Sequence, residues 1–551
     1  MTHQRVHGKQ RAVLLTLRGA ILVRWALAGY VLIFVLAGCS RPKSSSKQIL
    51  RVGVGTDLKD LDPQTNSTAP AGPVLNALFE GLVSLDKDGL SIAPGVAEGW
   101  DISDDGLTYT FHLRPNARWS NDDPVVAADF VRSWQRLLDP ELGAELAHLA
   151  YKIEGAQIYR MGRMGNFDAV GVHALDEHTL VVRITAPSAH FLTLLARYPF
   201  LPVHIPSIAS TGGLQRAGTS WTQPEKFVCN GPFQLAAWSR GKEIILKKNP
   251  HYWDASIVTL DELHFLLIEN QEREEEAYRD NKLDVTRTVP PSKVAYYQKG
   301  QPHTLRVQPR LGLVYLELNS LRPPFSDVLV RRAFALAVDR EAVIASITGQ
   351  GLKPALALTQ PGVDGYIPTL KTAKNIEEAR RLLAHAGYEN GKGMPPVRFL
   401  FNSNERNQEV AEALRAIWQQ GLGVRIELIS QPFKTFLENR HSGQAEIIRV
   451  GWQPFVPDQI DVLGLITAES VENMSGWSNS EYDAQYFRAL RSIKPAERFA
   501  AFARMDEIVA AEVPVIPLYY DSRINLVRPT VKDWSSNVSD FQVWKRVSIG
   551  P

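Results

Sequence analysis

A chain of 551 residues, 44% hydrophobic and 22% charged, is long enough for several domains and a large buried core. Its 12 Trp, 16 Tyr and 21 Phe exclude a disordered or low-complexity protein. The formal charge of +2 conceals an asymmetry: five of the 61 basic residues and none of the 59 acidic ones fall in the first 38 positions. The remainder carries a net charge near −3, which excludes a nucleic-acid footprint.

The first element is an address rather than a fold. Residues 1–24 contain Arg5, Lys9, Arg11, Arg18 and Arg24 and no acid, and residues 25–37 form an uninterrupted apolar run of 13. That run suits the apolar core of a signal peptide and falls short of the roughly 20 residues a membrane-spanning helix needs. It ends in Leu36-Ala37-Gly38-Cys39, which resembles the bacterial lipobox. The resemblance implies cleavage before Cys39 and acylation of its thiol, with palmitate among the acyl groups. Residues 39–48 then form a polar tether, and the body is held outside the cytoplasm, on the periplasmic side if the source has two membranes. With Cys39 so used, Cys229 is the other of two cysteines, which predicts a free, buried thiol.

The folded part opens with a strand pattern at 49–54. Residues 109–113 and 178–184 alternate likewise, with Asp104-Asp105-Gly106 as a turn before the first, and 242–248 and 313–319 follow the same pattern. Glu272 to Glu276, interrupted by Arg273, predict a solvated helix face. Asn375 stands at an N-cap position with Glu378 three residues on. Ile376, Ala379, Leu382, Leu383 and Ala386 then share one face, and Gly387 supplies the stop. A second helix carries Val410, Ala413, Leu414 and Ile417 and ends at Gly421, before a strand at 424–429. This order is that of an α/β protein. Residues 210–220 and 389–396 predict surface loops; there is no internal repeat and no long linker, so the domains are interwoven.

Enzyme constellations are missing. Neither G-x-S-x-G nor H-E-x-x-H occurs, and none of the 13 His pairs with Cys, Asp or Glu at metal-ligand spacing. The segment Gly387 to Gly393 has one residue too few between its glycines for a phosphate loop, and Gly393 replaces the Ser or Thr. The expectation is a binding protein, not an enzyme, with no metal and no cofactor.

A family resemblance is carried by residues spread along the chain. They include Leu78-Phe79-Glu80-Gly81-Leu82-Val83, Ala93 to Trp100, Tyr109 to Arg114, Trp119 to Val125, and Ala128 to Trp134. Asn230-Gly231-Pro232-Phe233, Asn249 to Trp253, Pro323 to Arg331, Ala379 to Tyr388, Lys434 to Leu437 with Arg440-His441, and Pro514 to Tyr520 continue it. From about residue 50 onward the chain resembles family 5 of the extracellular solute-binding proteins, in its oligopeptide-binding branch. The resemblance implies a bilobal α/β fold of the class II periplasmic-binding-protein type with an extra third domain. Lobe I would comprise 49–79, 209–311 and 523–551; the extra domain 80–208; lobe II 312–522. It implies a monomer that delivers peptides or peptide-like solutes to an ABC permease and ATPase complex. It leaves open a non-peptide solute on the same fold, or a surface lipoprotein that senses ligand without transport.

Carried over, the resemblance also implies a site. Thr68, Ala69, Pro70 and Ala71, with Gly451, Trp452 and Gln453, would pair their backbone with that of the ligand, as in strand addition. An Asp shortly after the Gly-Trp pair binds the ligand ammonium in the family; Phe455 stands there instead, leaving Asp458 or Asp461 as substitutes only if the loop is rearranged. Arg440 and Arg449 match positions that meet a ligand carboxylate in some relatives, a task a guanidinium fork suits. Phe433 keeps an aromatic wall. The expected ligand has a masked or absent amine and at least one anionic group.

Overall fold

The computed structural model describes residues 47–66, 71–347, 351–370 and 374–550. Thr68, Ala69, Pro70 and Cys39 therefore lie outside the described residues. From Gln48 on, the chain forms one compact unit built on three principal sheets.

The first sheet places Ile49–Gly53 parallel to Glu262–Leu266, followed antiparallel by Glu243–Lys248 and Phe233–Ser239. The second is a four-stranded antiparallel sheet in the order Ala97–Ile102, Thr108–Leu113, Thr179–Arg183, Val172–Ala174. The third is mixed and six-stranded, in the order Lys353–Pro354, Val515–Leu526, Leu305–Leu318, Ile447–Trp452, Val397–Asn402, Ile426–Gln431.

One core runs through the first two sheets without a break, from Leu50 and Phe265 to Phe111, Trp134 and Leu180. The six-stranded sheet has a core on each face. Leu316, Leu318, Phe399 and Phe401 belong to one, while Leu313, Tyr315, Leu400 and Ile448 belong to the other. This is the period of two that a strand imposes, and burial on both faces explains the apolar runs at 313–316 and 399–401.

The strand expected at 313–319 begins earlier, at Leu305. Arg306, Gln308 and Arg310 hide it from an apolar pattern, but antiparallel pairing with Val515–Leu526 holds it. The pairing shifts register between Pro309 and Leu313. Val285 bridges both Val52 and Val527, so this long ribbon starts at the edge of the first sheet and runs into the third.

Asn375 caps its helix as expected, accepting from the Glu378 amide at 3.0 Å. The next helix, Glu405–Leu422, does not end at Gly421; Gly423 terminates it with φ 71°. Cys229 is buried and free, and burial pushes its thiol pKa up to about 12. The acidic run is corrected. Glu272 and Glu276 are exposed, but Glu274 and Glu275 are 1% and 3% exposed. Glu274 accepts from the amides of Arg287 and Thr288, and Glu275 accepts from the Tyr297 hydroxyl at 2.6 Å.

Candidate functional site

Two cavities meet where the ribbon passes from the first sheet to the third. The larger, about 1250 Å³, lies between Arg287–Val294 on one side and Phe433, Arg440, Arg449, Gly451 and Trp452 on the other. The smaller, about 340 Å³, is bounded by Gly72, Tyr198, Gln453, Phe455 and Trp534. Arg287, Arg310 and Arg523 line both.

The fold thus gathers most of the residues expected from sequence. Gly451 and Trp452 end the strand Ile447–Trp452, opposite Val314 and Leu313. On its other side that strand registers with Val397–Asn402 only at Ile447 and Ile448. Among the described residues, the outer edge at Gly451 and Trp452 therefore has no strand beside it, and both residues line the larger cavity. Phe433 opens the helix Phe433–Asn439, is 61% exposed, and stacks 6.5 Å from Phe436. Arg440 is held by Glu472 at 2.8 Å. Arg449 has a buried Nε without a hydrogen-bond partner among the described residues. Ala71 is buried at the start of the helix Ala71–Leu78.

Asp458 stands apart from this group. It is 3% exposed, caps the helix Gln459–Leu463, and takes two hydrogen bonds from Arg498 at 2.7 and 2.8 Å. Asp461 is equally engaged, accepting from Trp452 Nε1 at 2.6 Å and from the Phe455 amide at 3.3 Å. Burial raises the Asp461 pKa, and these two donors oppose the rise. In this conformation neither carboxylate is free for a ligand ammonium. Asp461 instead fixes the course of the segment from Trp452 to Phe455.

The sequence reading missed Arg197, Tyr198, Arg287, Arg310 and Arg523. Tyr198 meets the Phe455 ring edge-on at 6.2 Å, and the Arg197 guanidinium lies 5.8 Å from its centroid. Arg310 and Arg523 carry at most a faint signal, since their strands also hold Arg306, Gln308 and Glu317, and Asp521, Ser522 and Asn525. Arg197 and Arg287 carry none. Among the described residues no group of three His, Cys, Asp or Glu side chains is placed to hold a metal, and no helix is long and apolar enough to cross a membrane.

Residues 91–473 match the family described as "Bacterial extracellular solute-binding proteins, family 5 Middle". The chain is 33% identical to the periplasmic oligopeptide-binding protein OppA of Escherichia coli, over 88% of this chain and 90% of that one. It is 34% identical to a probable deoxycholate-binding periplasmic protein, YgiS, of the same organism, over 91% and 94%. The unliganded open form of the periplasmic murein tripeptide binding protein MppA superposes with a TM-score of 0.82 at 30% identity, covering 92% of this chain and 98% of that one. The sheets therefore build the bilobal class II binding-protein fold with its extra domain. The chain belongs to family 5 of the bacterial extracellular solute-binding proteins, and it is a binding protein rather than an enzyme.

Proposed function

We propose that this chain is the capture component of an ABC importer, lipid-anchored at Cys39 outside the cytoplasm, that binds a peptide or peptide-like solute between its lobes. The observation that carries this is the strand edge at Gly451 and Trp452, which faces the larger cavity without a neighbouring strand among the described residues. An extended ligand pairing there gains main-chain hydrogen bonds that require no particular side chains. The names of its relatives, an oligopeptide-binding and a murein tripeptide binding protein, support the same reading. The family pattern assigns Thr68 to Ala71 to the ligand backbone as well. The division into lobe I (49–79, 209–311 and 523–551), extra domain (80–208) and lobe II (312–522) fits the way each sheet draws its strands. The register shift in the ribbon then lies at the boundary between lobes. Capture at low concentration suits a monomer that docks on a permease with its ATPase.

The test is to release ligand by denaturing the full-length tagged protein purified from its own cells, and to identify it by mass spectrometry. Peptide-like masses at near-stoichiometric yield are expected; a released solute without amide groups would overturn the peptide reading. For the anchor, Cys39→Ser is expected to abolish metabolic labelling with palmitate and to free the protein from membranes. Retained labelling would overturn it.

A second reading keeps the fold and replaces the peptide with an amphipathic acid. Phe455 and the neighbouring arginines favour it, as does the probable deoxycholate-binding relative.

A further inference from the structure

The smaller cavity carries four arginines, Arg197, Arg287, Arg310 and Arg523, against one carboxylate, Asp540. Existing partners do not exhaust their donors. Arg523 is ion-paired with Asp540, Arg310 lies 3.5 Å from Asp521, and Arg287 donates to the Val54 carbonyl at 2.5 Å. The Nε atoms of Arg197 and Arg310 are buried without a hydrogen-bond partner among the described residues. The arginines also crowd one another: burial lowers the pKa of Arg287 and of Arg523, and the charge of Arg310 lowers both further.

Arg197 is the most exacting case. Burial pulls its pKa down to about 10, against the attraction of Tyr198 and Asp461. Asp461 is anchored by Trp452 and Phe455, and no ion pair joins it to Arg197 among the described residues. Arg197 is thus a half-buried cation whose Nε has no hydrogen-bond partner among the described residues, and an incoming anion would supply one.

We propose that the smaller cavity is an anion subsite, in which Arg197 on one side and Arg287, Arg310 and Arg523 on the other receive a carboxylate at the end of the ligand lying against Phe455. Tyr198, Phe455 and Trp534 supply an apolar wall for the stem that carries this carboxylate. The ligand class is an acid with an apolar stem and no ammonium at that end, such as a peptide capped by a dicarboxylic acyl group. This rests on the capture reading above and names the chemistry of one end of its ligand.

The experiment is calorimetry on the full-length chain in non-ionic detergent with three probes: Ala-Ala-Ala, its N-acetyl derivative and its N-succinyl derivative. The succinyl peptide is expected to bind at least tenfold more tightly than the acetyl peptide, with the free amine weakest. Arg197→Met is expected to bring the succinyl-to-acetyl ratio near one, and Arg197→Lys to retain part of it. Since Arg197→Met removes a half-buried charge that forms no ion pair among the described residues, its melting temperature is expected to stay within a few degrees of the wild type, which separates loss of binding from loss of fold. Equal binding of the two capped peptides, or tighter binding of the free amine, overturns the subsite and leaves the capture reading standing. Failure of all three peptides to bind overturns the peptide reading instead. In that case 4-phenylbutyrate, which has no amide, decides the subsite. Stabilisation of the wild type that is lost in Arg197→Met sustains it; stabilisation absent, or equal in both, overturns it.

Discussion

His190 Nδ1 lies 3.1 Å from Asp458 Oδ2, across the boundary between the part of the chain that holds the second sheet and the part that holds the third. The approach is within ion-pair distance but without hydrogen-bond alignment. Behind it, Arg498 reaches both Asp458 and Asp364 and is 1% exposed. Burial alone would raise the Asp458 pKa, but His190 and Arg498 outweigh it and hold the carboxyl down at about 2.

Arg498→Ala leaves the buried Asp458 with His190 alone and the partly exposed Asp364 without its guanidinium, a change expected to cost about 3 kcal/mol in urea unfolding. The pH dependence has a definite sign. A folded pKa below the unfolded value gives stability that is complete above ~4 and lost as pH falls toward 2. The wild type should lose stability over that window more steeply than the variant.

Asp506 predicts the opposite slope. It is 1% exposed and accepts from Thr359 at 2.6 Å and Tyr366 at 3.2 Å, yet burial raises its pKa to about 7. Its contribution is fullest below ~4 and declines as pH rises toward 7. Asp506→Asn, which has no charge to bury, is expected to narrow the difference in melting temperature between pH 5 and pH 8.

Glu274 ties local stability to the cleft. Its carboxylate accepts from the Arg287 amide at 2.7 Å and from the Thr288 amide and hydroxyl, each at 3.1 Å. Glu274→Ala frees these donors, with an expected cost of about 2–3 kcal/mol in urea unfolding. It should also weaken ligand binding, because Arg287 lines both cavities. Gly53→Ala tests the same packing from the other side: a Cβ there would meet Glu274 Oε1 at 1.9 Å.

How much of this was legible in the sequence depended on whether the signal was local. Asn375 and Glu378 announce a helix start because a cap is an exchange among neighbours in the chain. Gly421 misled because two glycines stand close together, and only the αL geometry at Gly423 says which ends the helix. Glu274 and Glu275 looked solvated because their partners, Arg287 and Tyr297, belong to later segments. The strand around Gly451 and its aromatic and basic neighbours could be carried over from a family pattern. Arg197 could not: its meaning comes from Phe455, which only the fold brings beside it.

That pair changes what a family-based substitution should do. Phe455→Asp introduces the acid that the family resemblance implies for a ligand ammonium, but the new carboxylate would lie beside Arg197 and pair with it. Affinity for a free-amine tripeptide is therefore expected to rise little in Phe455→Asp alone, and about tenfold or more when Arg197→Ala is added. Calorimetry on the two single variants and the double variant measures this non-additivity directly.

The unbroken core beneath the first and second sheets has a mechanical consequence. Close-packed interiors do not slide without opening voids, and no seam divides Leu50 and Phe265 from Phe111 and Trp134. The first two sheets therefore share one packed body, which the ribbon of Leu305–Leu318 and Val515–Leu526 joins to the six-stranded sheet. Antiparallel hydrogen bonds resist slippage between its strands far more than they resist twist. A ribbon of this kind yields to twist before it yields to sliding, and the contact between His190 and Asp458 is a second tie between the parts that such a twist would strain.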